Sequence, residues 1–148
     1  MACFLLQMGG GRIVIVPSLK SQPDPILVVE DDDDTRDALC VLLAGQNYRV
    51  LDAKNGREAL EVLTRTPLAL IIMDLSMPVM TGWQLLDSIR DEKLLPDVPI
   101  IVLSADNQPP ADDVCFLQKP VGAQHLLEEI SSCLDHGLTV GRDSGYRA

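Results

Sequence analysis

The chain has 148 residues and a formal net charge of −10, and its residues are 47% hydrophobic, 23% charged and 3% aromatic. This length allows one domain with an aliphatic core, and the acidic balance argues against direct binding of nucleic acid, whose phosphates are bound by clusters of lysine and arginine. No apolar stretch approaches the roughly 18 residues of a membrane-spanning helix, so we expect a cytoplasmic protein with no membrane contact.

Glycine-rich and proline-rich stretches divide the chain into a central domain and two terminal segments. Residues 1–24 are expected to be an N-terminal extension or linker, in which glycines separate apolar runs at 4–6 and 13–16. That extension could be an extra strand or a disordered arm. The predicted domain spans 25–136, and the polar, glycine-rich residues 137–148 are expected to form a flexible C-terminal tail.

The domain begins with an apolar run at 26–29, which predicts a strand buried on both faces, and an acidic cluster at 30–34 ends it. Leucines and alanines at helical spacing follow over 35–44. Residues 48–53 predict a more polar edge strand, and Asn55 can cap a second helix. This half of the domain therefore alternates strands with helices.

The second half repeats that alternation. Residues 68–73 predict another fully buried strand, and a capping box over 81–84 begins a third helix. A fourth strand at 100–103 and a fifth at 114–117 precede a last amphipathic helix from 123 to 136. The alternation predicts an α/β fold, a doubly wound five-stranded parallel sheet with right-handed crossovers.

Side chains that can bind a metal or take part in catalysis follow the apolar strands at the point where each strand ends. Glu30 and Asp31 follow the first strand, Asp74 the third, Ser104 the fourth and Lys119 the fifth. Ligands of such folds bind outside the carboxyl ends of the strands, so we expect these side chains to converge on one edge of the sheet.

Three carboxylates in one crevice repel one another unless a hard divalent cation is bound, and Mg²⁺ is the usual choice where waters are retained. Asp74 could then attack phosphorus, while Lys119 neutralises charge and Ser104 donates its O–H to a phosphoryl oxygen. Each feature alone has a simpler explanation, because the helix dipole also favours acidic residues and single lysines are ordinary surface groups. The hypothesis depends on their joint placement.

The four cysteines are Cys3, Cys40, Cys115 and Cys133, and they lack the paired spacing of metal ligands. Three of them lie in apolar segments. We expect reduced thiols in the core rather than a disulfide framework, because a chain of this length has a full aliphatic core.

Four segments resemble the motifs of response regulator receiver domains. They are ILVVEDD at 26–32, MDLSMPVMTG at 73–82, Ser-Ala at 104–105 and Lys-Pro at 119–120. The D-x-x-M-P-x-M-x-G block is specific by itself, whereas the acidic and Lys-Pro pairs become specific only with it. The resemblance implies that 25–136 is a receiver domain with the flavodoxin-like strand order 2-1-3-4-5.

The resemblance also implies a role for each matching residue. Asp74 is the expected phospho-acceptor and, with Asp31, a direct ligand of Mg²⁺ or Mn²⁺. Glu30, where many members have aspartate, is expected to act on the metal through a water. The remaining implied roles are a metal-binding backbone carbonyl on Ser76, a switch hydroxyl on Ser104, an aromatic switch partner in Phe116, and a phosphate contact from Lys119, whose bond to Pro120 would be cis.

The connection between the fourth and fifth strands departs from the family pattern. Lys119 follows Ser104 by 15 positions, which is several fewer than receiver domains commonly have. Residues 106–113 contain two prolines and almost no apolar face. We therefore expect the fourth helix of the family to be missing or reduced to a turn, which exposes part of the sheet or of the last helix and removes the family's usual dimer surface.

The leading hypothesis is a stand-alone phospho-acceptor in a His–Asp phosphorelay. It would take phosphoryl from a sensor histidine kinase or histidine phosphotransfer protein and signal through contacts with a downstream protein target. It would not be an enzyme beyond catalysing its own phosphoryl transfer and dephosphorylation. The alternatives are a receiver-like binding module that is not phosphorylated, and a haloacid-dehalogenase-like phosphatase, which needs an aspartate where Ser76 stands.

Overall fold

A computed structural model describes residues 3–8, 12–17, 23–94, 97–107, 109 and 113–136. Near the N-terminus, strands β1 (Cys3–Met8) and β2 (Arg12–Pro17) pair in antiparallel fashion as a separate two-stranded sheet. The tail predicted at 137–148 lies outside the described residues. Within the described part of the chain, no helix has the length and apolar character needed to cross a membrane.

From residue 26 onward, strands alternate with helices as the apolar spacing predicts, except between the last two strands, where no helix is described. The strands are β3 (Ile26–Val29), β4 (Val50–Ala53), β5 (Leu70–Asp74), β6 (Ile100–Ser104) and β7 (Cys115–Gln118). The helices are α1 (Asp33–Gly45), α2 (Gly56–Arg65), α3 (Gly82–Asp91) and α4 (Ala123–His136). The last helix has the predicted bounds, whereas β4 and β5 each begin two residues later and α1 two residues earlier than predicted.

The five strands from β3 to β7 form one parallel sheet in the order β4-β3-β5-β6-β7. This is the predicted 2-1-3-4-5 order. The central strands β3 and β5 are buried along their whole length, while the edge strands β4 and β7 contain partly exposed residues. Because all five strands run in one direction, their carboxyl ends meet at one edge, where such folds bind ligands.

The core consists of two apolar layers, one on each face of the sheet. Residues Leu27, Val29, Ala59, Leu63, Ile71, Met73, Leu85, Leu86 and Val102 form the layer beneath α2 and α3. Residues Ile26, Val28, Leu43, Leu70, Ile72, Ile101, Leu103, Leu126 and Ile130 form the layer beneath α1 and α4. Successive residues of β5 therefore enter opposite layers, as the period-two geometry of a strand requires.

Side-chain caps determine where the helices begin. Asp32 Oδ2 accepts a hydrogen bond from the Thr35 N–H at 2.8 Å at the start of α1. Asn55 caps α2 as predicted. The predicted capping box of α3 is also present, because the Gln84 N–H donates to Thr81 Oγ1 at 3.2 Å and the Thr81 N–H donates to Gln84 Oε1 at 2.9 Å. These caps satisfy N–H groups that a helix start leaves unpaired.

The connection between β6 and β7 has no helix at its described positions, which are 105–107, 109, 113 and 114. Positions 108 and 110–112 lie outside the described residues. Arg90, near the end of α3, forms an ion pair with Asp113 at the far end of this connection, and its Nε donates to Asp113 Oδ2 at 3.2 Å. This ion pair ties α3 directly to the start of β7.

Candidate functional site

Three carboxylates meet at the carboxyl-terminal edge of the sheet. Glu30 and Asp31 follow β3, and Asp74 ends the neighbouring strand β5. One carboxylate oxygen from each residue lies within 4.8 Å of those from the other two. Glu30 is 3% exposed and Asp74 is 9% exposed, whereas Asp31 is open to solvent. We call these three residues the acidic cluster.

The ammonium group of Lys119 contacts two members of the acidic cluster. Its Nζ donates to Glu30 Oε2 at 3.2 Å and lies 3.4 Å from Asp74 Oδ2. Its backbone N–H donates to the carbonyl oxygen of Ser104 at 2.8 Å, which places the lysine at the same sheet edge. The bond from Lys119 to Pro120 is cis, as the family resemblance implies. Lys119 therefore offsets part of the negative charge of the cluster.

Burial and charge act in opposite directions on these groups. Burial is the largest cause that raises the pKa of Glu30, and the charge of Asp74 adds to it, while the Asp32 N–H and Lys119 oppose it. Burial alone would lower the pKa of Lys119, but the charges of Asp74 and Glu30 outweigh it and raise that pKa. The crevice thus holds a carboxyl group whose ionisation is costly unless further positive charge is supplied.

The loop after β5 holds Asp74 through its backbone. The Ser76 N–H donates to Asp74 Oδ1 at 3.3 Å, and the Gly82 N–H donates to the Leu75 carbonyl oxygen at 3.0 Å. A Cβ on Gly82 would lie 2.8 Å from Leu75 Cα and closer still to the carbonyl oxygen of Asp74, so only glycine fits there. Val79 has a φ of 68°, a left-handed conformation that β-branched residues rarely adopt.

Arg36 supports the acidic cluster from α1, although the sequence pattern gives it no role. Its Nη1 donates to the Glu30 carbonyl oxygen at 3.0 Å, its Nε donates to Asp52 Oδ2 at 3.1 Å, and its Nη2 donates to Asp33 Oδ1 at 2.5 Å. These bonds tie the first turn of α1 to the ends of β3 and β4. The sequence offers one signal for this role, because Arg36 is a cation at the start of α1, where the preceding charged residues are acidic.

Ser104 and Phe116 lie on the adjacent strands β6 and β7. Ser104 is buried, and its Oγ accepts a hydrogen bond from the Asp106 N–H at 3.2 Å. Within the described part of the chain, its hydroxyl has no hydrogen bond to the acidic cluster. Phe116 is partly buried opposite Val102 in the strand register, within the layer beneath α2 and α3. The switch roles of Ser104 and Phe116 remain predictions.

Comparison with known proteins agrees with this geometry. The family model for the response regulator receiver domain matches residues 26–131. Two-component response regulator ORR11 of Oryza sativa subsp. japonica is 31% identical, with 76% of this chain and 82% of that protein covered. Two-component response regulator ORR3 of the same subspecies is 35% identical, with 70% of this chain and 88% of that protein covered.

Solved receiver domains have the same fold. The receiver domain of the hybrid histidine kinase CckA is 33% identical with a TM-score of 0.66, covering 74% of this chain and 98% of that one. A CheY-like receiver from Methanospirillum hungatei JF-1 is 28% identical with a TM-score of 0.70, covering 80% and 98%. TrrA from Thermotoga maritima, solved with Mg²⁺ and BeF, is 29% identical with a TM-score of 0.65, covering 74% and 97%. By its family match, its relatives and its fold, this chain belongs to the receiver domains of two-component response regulators.

Proposed function

We propose that this chain is a phospho-acceptor of a His–Asp phosphorelay and that Asp74 takes the phosphoryl group with a bound divalent cation. The observation that carries this proposal is the position of Asp74. It ends a buried central strand, belongs to a three-carboxylate cluster and lies 3.4 Å from the ammonium group of Lys119. A nucleophile, a cation site and a fixed positive charge therefore lie together.

The donor atoms of the acidic cluster suit a hard cation such as Mg²⁺ or Mn²⁺, because all of them are carboxylate oxygens. Asp31 and Asp74 would bind the cation directly, Ser76 would add its backbone carbonyl, and Glu30 would act through a water. When bound, the cation neutralises the cluster and withdraws charge from the phosphoryl oxygens.

Each remaining residue has one task in the transfer. An oxygen of Asp74 attacks phosphorus, so the new P–O bond forms as the P–N bond of a phosphohistidine breaks. Lys119 holds a phosphoryl oxygen through Nζ, which already lies beside Asp74. Ser104 accepts a hydrogen bond through its Oγ, so its own O–H proton stays available for another phosphoryl oxygen.

The phosphoryl donor in this proposal is a sensor histidine kinase or a histidine phosphotransfer protein, and the output is a contact with a downstream protein. The chain acts as a signalling phospho-acceptor that catalyses only its own phosphorylation and dephosphorylation. What supports this role is its membership of the receiver family together with the buried Asp74 and its paired Lys119.

Acetyl phosphate with Mg²⁺ tests the proposal without the natural partner. The intact mass of the wild-type chain should rise by one phosphoryl group, and Asp74→Asn should show no increase. Asp91→Asn is the matched control, because Asp91 is an exposed carboxylate on α3 outside the acidic cluster, and it should label like the wild type. Equal labelling of Asp74→Asn would show that another residue accepts the phosphoryl group.

A further inference from the structure

Two cysteine thiols lie against each other between β7 and α4. Cys115 begins β7, and Cys133 lies in the last turns of α4. Cys133 is fully buried in the apolar layer beneath α1 and α4, and the partly buried Cys115 packs against the same layer. Both are free thiols, and their side chains are in hydrogen-bond contact.

Cys115 also has a proton acceptor beside it. Its Sγ donates to Glu129 Oε2 at 3.5 Å, one helical turn before Cys133. The other oxygen of Glu129 lies 3.7 Å from His125 Nε2 on the exposed side of α4. None of these residues belongs to the acidic cluster or takes part in the proposed phosphoryl transfer.

We propose that Cys115 and Cys133 are a redox modification site, a dithiol that hydrogen peroxide converts to a disulfide joining β7 to α4. The Cys115 sulfur first takes one oxygen from peroxide, so an S–O bond forms, the O–O bond breaks and one water leaves. The Cys133 sulfur then attacks the Cys115 sulfur, the S–S bond forms and a second water leaves. Two thiols thus lose two electrons and two protons, and one peroxide becomes two waters.

Exposure to solvent assigns the order of these steps. Cys115 is partly exposed and Cys133 is not, so peroxide reaches Cys115 first. Cys133 lies deeper in the same apolar layer, so its sulfur acts as the resolving nucleophile once Cys115 carries the oxygen.

The bridge would enclose the turn that holds Lys119. That residue lies between Cys115 and Cys133 in the sequence, so a disulfide closes a loop around it. Closing a loop restricts the unfolded chain and raises the midpoint of thermal unfolding. The oxidised protein should therefore unfold at a temperature at least about 5 °C higher than the reduced protein.

The test treats the full chain with hydrogen peroxide and maps its peptides without reduction. We expect a cross-linked peptide containing Cys115 and Cys133, an intact mass lower by two hydrogen atoms, and reversal by dithiothreitol. Cys40→Ser is the matched control, because Cys40 is another partly buried thiol on α1, and it should behave like the wild type. Cys115→Ser and Cys133→Ser should each lose the mass change.

The peptide map of the wild-type chain decides the question even if a serine variant fails to fold. Cys115 and Cys133 that stay reduced under peroxide, whether or not Cys3 or Cys40 bridges two chains, would overturn the proposal. Peroxide that leaves sulfinic acid on Cys115 with Cys133 unmodified would overturn it as well. Because phosphorylation takes no part in this test, its outcome is independent of the proposed function.

Discussion

The ammonium group of Lys119 pairs with two buried carboxylates, those of Glu30 and Asp74. Its Nζ lies 3.2 Å from Glu30 and 3.4 Å from Asp74, and its side chain is 31% exposed. In Lys119→Ala both carboxylates lose their cationic partner, so the free energy of unfolding in metal-free buffer should fall by about 1–2 kcal/mol, a value reduced for partial exposure.

Lys54→Ala provides the control for that measurement. Lys54 forms its ion pair with Glu58 at 3.6 Å, and its side chain is 62% exposed. Because exposed pairs contribute little, its loss should change the free energy of unfolding by less than about 0.5 kcal/mol in a urea titration. Equal losses in the two variants would show that Lys119 acts as an ordinary surface lysine.

Glu30 makes the stability of the metal-free protein depend on pH. Its pKa is raised, chiefly by burial, so the folded protein binds this proton more tightly than the unfolded chain does. The stabilisation from this tighter proton binding is fully present below the ordinary pKa of 4.5. It is lost as pH rises through the raised pKa of the folded protein. Glu30→Gln cannot titrate, so its stability relative to wild type should increase as pH rises from below 4.5 through the raised pKa of Glu30.

Urea unfolding in the presence of a chelator measures this effect. Glu58→Gln is the control, because Glu58 is not buried and lies on α2 away from the acidic cluster. Its stability relative to wild type should stay nearly constant over the same range. A relative stability of Glu30→Gln that falls as pH rises would contradict a raised pKa for Glu30 in the folded protein.

The contact of α3 with the end of β5 depends on the absence of a side chain at Gly82. An added methyl group would meet the backbone of Asp74 and Leu75, which cannot move aside as a flexible side chain would. Gly82→Ala should lower the free energy of unfolding by about 1–3 kcal/mol, and it should slow phosphorylation because Asp74 shifts.

Gly45→Ala is the comparison for Gly82→Ala, measured by thermal unfolding and by the initial rate of labelling. A Cβ on Gly45 meets nothing within 4 Å, and this residue ends α1. Its replacement should leave labelling unchanged and leave stability unchanged or raised by up to about 1 kcal/mol. Identical behaviour of the two variants would show that Gly82 does not help to hold Asp74 in place.

Most elements were predictable because their apolar spacing matches their final environment. Strand β3 and the apolar part of β5 are buried on both faces, and the caps at Asn55 and Thr81 are local in sequence. The starts of β4 and β5 were each predicted two residues too early, since sequence composition marks the ends of a strand only weakly. The ion pair of Arg90 with Asp113 joins α3 to the connection before β7, and no local pattern in the sequence reveals it.

The acidic cluster was predictable for a different reason. In a parallel sheet, residues at the strand ends must meet, so Glu30, Asp31 and Asp74 could be placed together without any contact being known. The bonds of Arg36 and the pairing of Cys115 with Cys133 were not predicted. They depend on how a helix is rotated against the sheet, which the periodicity of its apolar residues fixes only roughly.

The connection between β6 and β7 bears on the assembly of the protein. Its described positions 105–107, 109, 113 and 114 contain no helix, and the family resemblance assigns the usual dimer surface to a helix in this connection. The chain should therefore sediment as a monomer both with and without Mg²⁺ and beryllofluoride. A doubling of the sedimenting mass on addition of beryllofluoride would show that a dimer surface is still present.

Chemical reduction shows directly which residue carries the phosphoryl group. Borohydride converts an aspartyl phosphate to homoserine, which peptide mass spectrometry identifies at its position. After treatment with acetyl phosphate, we predict homoserine at position 74 alone, formed with Mg²⁺ and absent when a chelator removes it. A reduced residue at Asp31 or Glu30 in place of position 74, or labelling unaffected by the chelator, would show that Asp74 is not a metal-dependent phospho-acceptor.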